Sequence, residues 1–337
     1  MSFLDEHYDD IFKKYSVNEL LKDIASFQKV NGSSLEKVLN HFFKEEIFKC
    51  WNIAGKKSPM EFLANDEEVK KAFEIIERFP KFFASDSIVS NLESFLRNQS
   101  RFTNKVANFN PRDARDIYFR YFPEHLKGFS GDRLNVLDPS AGFGARMLAV
   151  LLSGQNYFAY EPNKGVYNQL CVCVEFLRTN GVISSDQVCD IRCQGSESFV
   201  PEWLGKMDVS FTSPPYFNLE FYSDDGCAST RNYGDYRKWL IEYVVPTVSN
   251  IQYYLKLNAC AMINIKNLTG AEHLFDDWFK VFQRVVRGFE LVEVFNLKFR
   301  QAKRNARKGK DENPDEFEEY SEPVMSFRKV KVIERCH

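Results

Sequence analysis

The fold class predicted by this sequence is α/β: a doubly wound, mostly parallel seven-stranded sheet with a last antiparallel edge strand, preceded by an all-helical N-terminal region. Three observations predict it. From Leu134 onward, short apolar or β-branched runs alternate with segments of helical period, the pattern of a parallel sheet covered by helices on both faces. The last two strand-like runs have no helix between them, so they should pair antiparallel at one edge. Residues 1 to about 100 carry apolar side chains at three- and four-residue spacing and no strand signal.

In chain order, helical spacing covers Val17 to Phe27, Ser34 to Trp51, Glu67 to Phe79 and Ser87 to Leu96. Ser34-Leu35-Glu36-Lys37 reads as a capped helix start. Asn110 can cap a helix with Pro111 at its first position, running to Tyr121 or Phe122 before Pro123 stops it. Strands are expected at Asn135 to Leu137, Asn156 to Tyr160, Val188 to Cys193, Met207 to Thr212, Ala259 to Ile265, Glu290 to Phe299 and Val324 to Val330. Helices are expected at Ala145 to Leu152, Gly165 to Arg178, Tyr236 to Leu255 and Phe275 to Arg287. This suggests a helical accessory domain over 1–100 and a catalytic domain over 101–337, consistent with a 337-residue chain.

Composition narrows the function. With 44% hydrophobic and 27% charged residues the chain is an ordinary globular protein. Its N-terminus is acidic, and no apolar run is long enough to span a bilayer, so a cytoplasmic location is expected. Eight Cys read there as reduced thiols; the close pairs Cys171/Cys173 and Cys189/Cys193 lack zinc-knuckle spacing, and no metal site is expected. A net charge of -2 means that any nucleic-acid contact needs a local basic patch. One candidate is the charge-segregated stretch after the sixth strand, where Arg300 to Lys310 is basic and Asp311 to Glu319 acidic; such a block reads first as a solvated loop. The aromatic share of 15%, with 32 Phe, exceeds what a core alone needs and leaves rings to line a pocket.

The chemistry concentrates where strands end. Gly142 and Gly144, after the first strand, let backbone approach a ligand closely. Met147 occupies the place of the third glycine of the dinucleotide fingerprint, which argues against a nicotinamide oxidoreductase. Glu161, ending the second strand, can take both hydroxyls of a ribose. After the third come Gln194-Gly195-Ser196-Glu197, where a polar side chain can meet an adenine amino group. After the fourth strand, Ser213-Pro214-Pro215-Tyr216 leaves the sheet with exposed carbonyls and no proline N–H to compete for them. A hydroxyl, a free carbonyl at Pro214 and a flat ring suit a planar heterocycle bearing an exocyclic amine.

The ordered set N-F-N-P-R-D-A (Asn108 to Ala114), D-P-S-A-G-F-G (Asp138 to Gly144), Y-E-P-N (Tyr160 to Asn163) and T-S-P-P-Y (Thr212 to Tyr216) resembles the S-adenosylmethionine-dependent DNA amino methyltransferases, particularly the cytosine-type branch with S-P-P-Y. The resemblance covers roughly residues 101–335 and implies a methyltransferase-type sheet, S-adenosyl-L-methionine as cofactor and DNA as partner, with RNA as the alternative substrate. It implies that Phe109 and Pro111 approach the methionine end of the cofactor, Asp138, Ala141 and Gly142 its amino acid and ribose, Glu161 the ribose hydroxyls, and Ser196 or Glu197 the adenine. Ser213 and the Pro214 carbonyl would accept the hydrogens of the target amine, with Pro215 shaping the turn and Tyr216 stacking on a flipped base. Ser213 stands where adenine-specific members usually carry Asp or Asn, which favours cytosine N4 over adenine N6. The family's sizeable recognition insert has no counterpart beyond residues 223–234 and 300–322. A catalytically idle, nucleic-acid- or protein-binding module is the rival reading; the complete motifs speak against decay.

Overall fold

The computed structural model describes residues 2–29, 32–50, 57–81, 83–98, 108–123, 132–217, 233, 235–267, 271–302 and 317–332. The N-terminal region is helical: α1 (Phe3–Glu6), α2 (Tyr8–Ile11), α3 (Val17–Phe27), α4 (Glu36–Lys49), α5 (Pro59–Leu63), α6 (Asp66–Arg78) and α7 (Ile88–Asn98). Ser16 and Glu19 close a capping box at the start of α3, satisfying donors that a helix end leaves open. The cap expected for α4 comes from elsewhere. Leu35 sits at its start with φ 61° and no side-chain cap, while Asp23 of α3 accepts the amides of Lys37 (2.9 Å) and Val38 (3.2 Å). The left-handed turn puts Leu35 wholly in the core. Three short helices, α1, α2 and α5, were too brief to show a helical period.

The sheet comprises β1 (Asn135–Asp138), β2 (Asn156–Tyr160), β3 (Cys189–Arg192), β4 (Met207–Thr212), β5 (Leu255–Asn264), β6 (Phe289–Ala302) and β7 (Phe317–Lys329), in the order β3-β2-β1-β4-β5-β7-β6. The first five strands are parallel. β7 runs antiparallel to both β5 and β6, as the missing crossover helix demands. Within this edge pair the last strand is the inner one, so β6 forms the border. β6 and β7 pair out to Ala302↔Phe317; residues 300–302 and 317–322 are therefore arms of a hairpin rather than loop, and 303–316 lie outside the described residues.

Helix α8 (Pro111–Tyr118) starts as expected, with Asn110 accepting the Arg112 amide at 2.8 Å. It ends earlier than expected, because the following turn is tied to the sheet: Arg120 makes a two-pronged pair with Glu293 of β6 (2.9 and 3.0 Å), and the Tyr121 hydroxyl donates to Glu293 (2.7 Å). α9 (Ala145–Leu151) and α10 (Lys164–Thr179) cross one face of the sheet. The other face is covered by the helix built from Tyr236–Trp239, a π-helical Leu240–Val244 and Val245–Tyr254, and by Leu274–Lys280 with its π-helical continuation Val281–Val285. Two apolar clusters follow from this layering. One joins α3–α7 to α8–α10 and the near face of the sheet; the other lies under the Tyr236–Tyr254 helix and includes Trp203, Trp239 and Trp278. The expected boundary between 1–100 and 101–337 falls at 99–107, outside the described residues, while the helices before it and the domain after it share the first cluster. Among the described residues no helix is long and apolar enough to cross a membrane.

Candidate active site and cofactor cleft

In an open parallel sheet the point where strand order reverses leaves a crevice at the carboxyl ends of the strands. Here that point lies between β1 and β4, which pair through Val136↔Val209 and Leu137↔Ser210. The glycine turn after β1 and the Ser-Pro-Pro-Tyr segment after β4 thus leave the sheet side by side, with the end of β2 on the far side of β1.

Asp138 ends β1 wholly buried, where a carboxylate needs a partner. Arg146 of α9 supplies it, with Nε at 2.8 Å from Oδ2 and Nη2 at 3.3 Å from Oδ1. The Tyr157 hydroxyl donates to Oδ2 (2.8 Å) and the Ser140 amide to Oδ1 (3.1 Å). Arg146 also donates to the Ser140 carbonyl, and its guanidinium lies 5.9 Å from the Phe109 ring centre. Burial works against the charge of Arg146, yet Asp138 holds its pKa above the usual range. Burial, followed by the Asp138 charge, pushes the Tyr157 phenol up. The carboxylate of Asp138 is therefore directed into this network. Arg146 was missed as a functional residue, although a cation inside the apolar run ARMLAVL is itself a signal that a buried acid must be near.

The glycine turn is fixed at each residue. The Ala141 amide donates to the Tyr160 carbonyl (2.8 Å), the Gly142 amide to Glu161 Oε2 (2.9 Å), and Asn108 Nδ2 donates to the Phe143 carbonyl (2.9 Å). Gly142 (φ 58°) and Gly144 (φ 75°) both need the left-handed region, but their surroundings differ. A Cβ on Gly142 would meet nothing nearer than the Ser140 carbonyl at 3.9 Å, whereas on Gly144 it would collide with the Phe43 ring. Gly142 faces open space; Gly144 is a packing glycine.

Glu161 is 7% exposed. Its Oε1 accepts the Asn163 amide at 2.9 Å, so each oxygen serves one backbone N–H and keeps a further lone pair for another donor. Burial pushes its pKa up to about 7, while the amides of Asn163 and Gly142 pull the other way. On the next loop Ser196 is buried, its Oγ 2.9 Å from Thr247 Oγ1, and its carbonyl accepts from Asn250 (2.8 Å). Burial pushes the Tyr243 phenol up while the neighbouring Ser140 and Ser196 pull it down, and burial, followed by the Glu197 charge, raises the Tyr233 phenol. Burial raises the pKa of Glu197. Of the two adenine-side candidates Ser196 is committed to helix contacts, while Glu197 is less buried. Tyr243, Thr247 and Asn250 were not anticipated, since they approach these loops from the Tyr236–Tyr254 helix.

Pro111 is buried and Phe109 half-buried, the latter edge-on to Phe211 of β4 at 5.6 Å between ring centres; the N-F-N-P segment thus lies against the strand that ends in the Ser-Pro-Pro-Tyr lip. Pro214 is buried, and Ser213, Pro215 and Tyr216 are half-buried at the rim. Tyr216 packs on the second apolar cluster. Phe217 follows, against Tyr236 (5.3 Å) and Trp239 (5.9 Å). Residues 223–234, one of the two stretches left as a counterpart of the recognition insert, lie outside the described residues apart from Tyr233. Among the described residues no group of His, Cys, Asp or Glu is arranged to hold a metal ion.

No protein-family model matches the sequence, and no curated protein does. Solved structures that this chain matches include a SAM-dependent O-methyltransferase from Thermotoga maritima, with 13% identity and a TM-score of 0.40 over 68% of this chain and 69% of that one. A tRNA methyltransferase from Aquifex aeolicus gives 13% identity and 0.40 over 67% and 72%, and a SAM-dependent methyltransferase from Methanosarcina mazei 9% and 0.36 over 60% and 95%. At such identities and TM-scores the likeness carries no argument about this chain.

Proposed function

We propose that this chain is an S-adenosylmethionine-dependent methyltransferase acting on the exocyclic amine of a base in DNA, with cytosine N4 preferred over adenine N6. The observation that carries the reading is the meeting, at the β1/β4 switch point, of an open glycine turn, a buried acid with spare acceptor capacity and a proline-bounded acceptor lip. The site fits a nucleoside cofactor. Gly142 leaves room for close approach, and Glu161 has lone pairs for two hydroxyls. When bound, S-adenosylmethionine supplies an electrophilic methyl group on a sulfonium.

The chain's own residues do the rest. Phe109 and Pro111 wall the methionine side, Asp138 acts there through the Ser140 and Arg146 contacts that shape the turn, and Ala141 and Gly142 present backbone to the amino acid and ribose. Glu161 takes the ribose hydroxyls, and Glu197, backed by Ser196, faces the adenine. An aryl amine's lone pair is delocalised into its ring. Ser213 Oγ and the Pro214 carbonyl accept its two hydrogens and favour a pyramidal nitrogen, and Tyr216 holds the ring by stacking, so the contribution is positioning and electrostatics. Pro215 rigidifies the turn that aims both acceptors.

The test is incubation of purified protein with isotopically labelled S-adenosylmethionine and separate DNA and RNA pools, followed by nucleoside mass spectrometry. N4-methylcytosine in DNA is the expected product. Label confined to RNA overturns the choice of nucleic acid, and 5-methylcytosine or a ring-nitrogen methyl overturns the reading of the Ser213–Tyr216 lip.

A further inference from the structure

Helix α4 reaches the cleft from behind. Phe43, wholly buried, lies where a Cβ on Gly144 would be, and one turn later the Glu46 carboxylate does the same at Gly165, at the start of α10 and four residues after Glu161. Phe42 packs on Phe176 of α10, ring centres 5.5 Å apart. The third cofactor-side segment is also tied to these helices. Arg112, just past Phe109 and Pro111, donates to the carbonyls of Ser33 (3.0 Å), Phe27 (3.2 Å) and Lys29 (3.1 Å) and lies 5.3 Å from the Phe27 ring centre. Three loops that line one crevice thus lean on α3, α4 and the turn between them.

We infer that the N-terminal helices are the rear wall of the cofactor site, with Phe43 as the positioning residue that holds the Gly142–Gly144 turn in its binding shape; the inference rests on the cofactor reading above. Phe43 touches no ligand. It acts through Gly144, whose left-handed backbone has no side chain to anchor it and is held from outside by the ring. Close-packed interiors transmit such contacts because the ring has nowhere to swing. The helices therefore set cofactor affinity, and removing them costs cofactor binding before any effect on substrate choice.

The experiment compares full-length wild type, Phe43→Ala, Phe43→Leu and Phe62→Ala. Phe62 is equally buried in the same cluster but sits in α5 against Phe95, so it reports what a large N-terminal cavity does by itself. Two readouts are taken well below the unfolding temperature: amide hydrogen exchange over residues 140–146, and calorimetric binding of S-adenosylhomocysteine. Phe43→Ala should speed exchange in that turn and weaken the ligand about tenfold or more, the scale on which small displacements act. Phe43→Leu should recover most of both, and Phe62→Ala should change neither. Equal effects of Phe43→Ala and Phe62→Ala, or no effect of Phe43→Ala on the turn, overturn the inference. A wild type that binds no S-adenosylhomocysteine overturns the methyl-transfer reading instead, and the exchange comparison then decides the role of Phe43 by itself.

Discussion

Glu161 Oε2 accepts the Gly142 amide at 2.9 Å, stitching the end of β2 to the glycine turn after β1. The acid that would take a ribose diol thus also sets the turn that would receive the rest of the cofactor. Its ionisation matters to both tasks, because burial pushes its pKa up to about 7 from the usual 4.5. Between those values the folded protein holds a proton that the unfolded chain has released, so this residue's contribution to stability is full below about 4.5 and is lost as pH rises through about 7. Ligand affinity should move oppositely, since an ionised carboxylate is the better acceptor. Calorimetry with S-adenosylhomocysteine should show affinity falling towards tenfold per unit as pH drops below about 7. Glu161→Gln should bind weakly with a flat profile; a slope unchanged in that variant assigns the titration to another group.

The buried pair Arg146–Asp138 carries a stability prediction. Arg146→Met leaves the fully buried Asp138 with Tyr157 and the Ser140 amide as its remaining hydrogen-bond donors, and stranding a buried charge costs about 3–5 kcal/mol. Adding Asp138→Asn to that variant should recover part of the loss, and Arg146→Lys should be poorer than wild type because a point charge cannot span both oxygens. Urea unfolding of the single and double variants measures each step. A cost under about 1 kcal/mol for Arg146→Met, well short of a stranded charge, denies the pair its role in holding the turn.

Much of the fold was legible where local signals agree. Val17–Phe27, Asn156–Tyr160 and Met207–Thr212 have the bounds expected of them, the first from its three- and four-residue apolar spacing, the others because turn residues follow at once. What the sequence hid is what the chain does across distance. Asp23 caps α4 from another helix, and no local pattern can anticipate that. β7 inserts between β5 and β6 because alternation gives the number of strands and not their order. The arms of the β6–β7 hairpin extend into a charged block, where backbone pairing overrides the polar composition. In the candidate site, what was legible is position: Gly142, Glu161 and the proline lip follow β1, β2 and β4, as the strand signals require. Gly144 has a packing reason that no local pattern shows, the ring of Phe43, 101 positions earlier in the chain. Asp138 is expected near the amino acid and ribose of the cofactor, and the partner that the sequence did not show is Arg146, bound to its carboxylate, a pairing that needs the helix α9 to be laid beside β1.

Ser213 and Tyr216 share one lip and should fail differently. Both are half-buried at the end of β4, and Tyr216 rests on the aromatic cluster beneath the Tyr236–Tyr254 helix, which makes it a supported platform rather than a free ring. Ser213→Ala removes an acceptor whose interaction strengthens as the amine nitrogen pyramidalises, so kcat should fall more than substrate affinity. Tyr216→Ala removes a stacking surface worth about 1–3 kcal/mol per base, so affinity and rate should fall together. Tyr216→Phe should keep most of both, because the stacked face survives. Cofactor binding should change little in all three, since the glycine turn and Glu161 belong to β1 and β2. Single-turnover rates and substrate titrations separate these effects; a Ser213→Ala enzyme with normal kcat and weakened binding shows that the hydroxyl grips the ground state and has no part in the transfer.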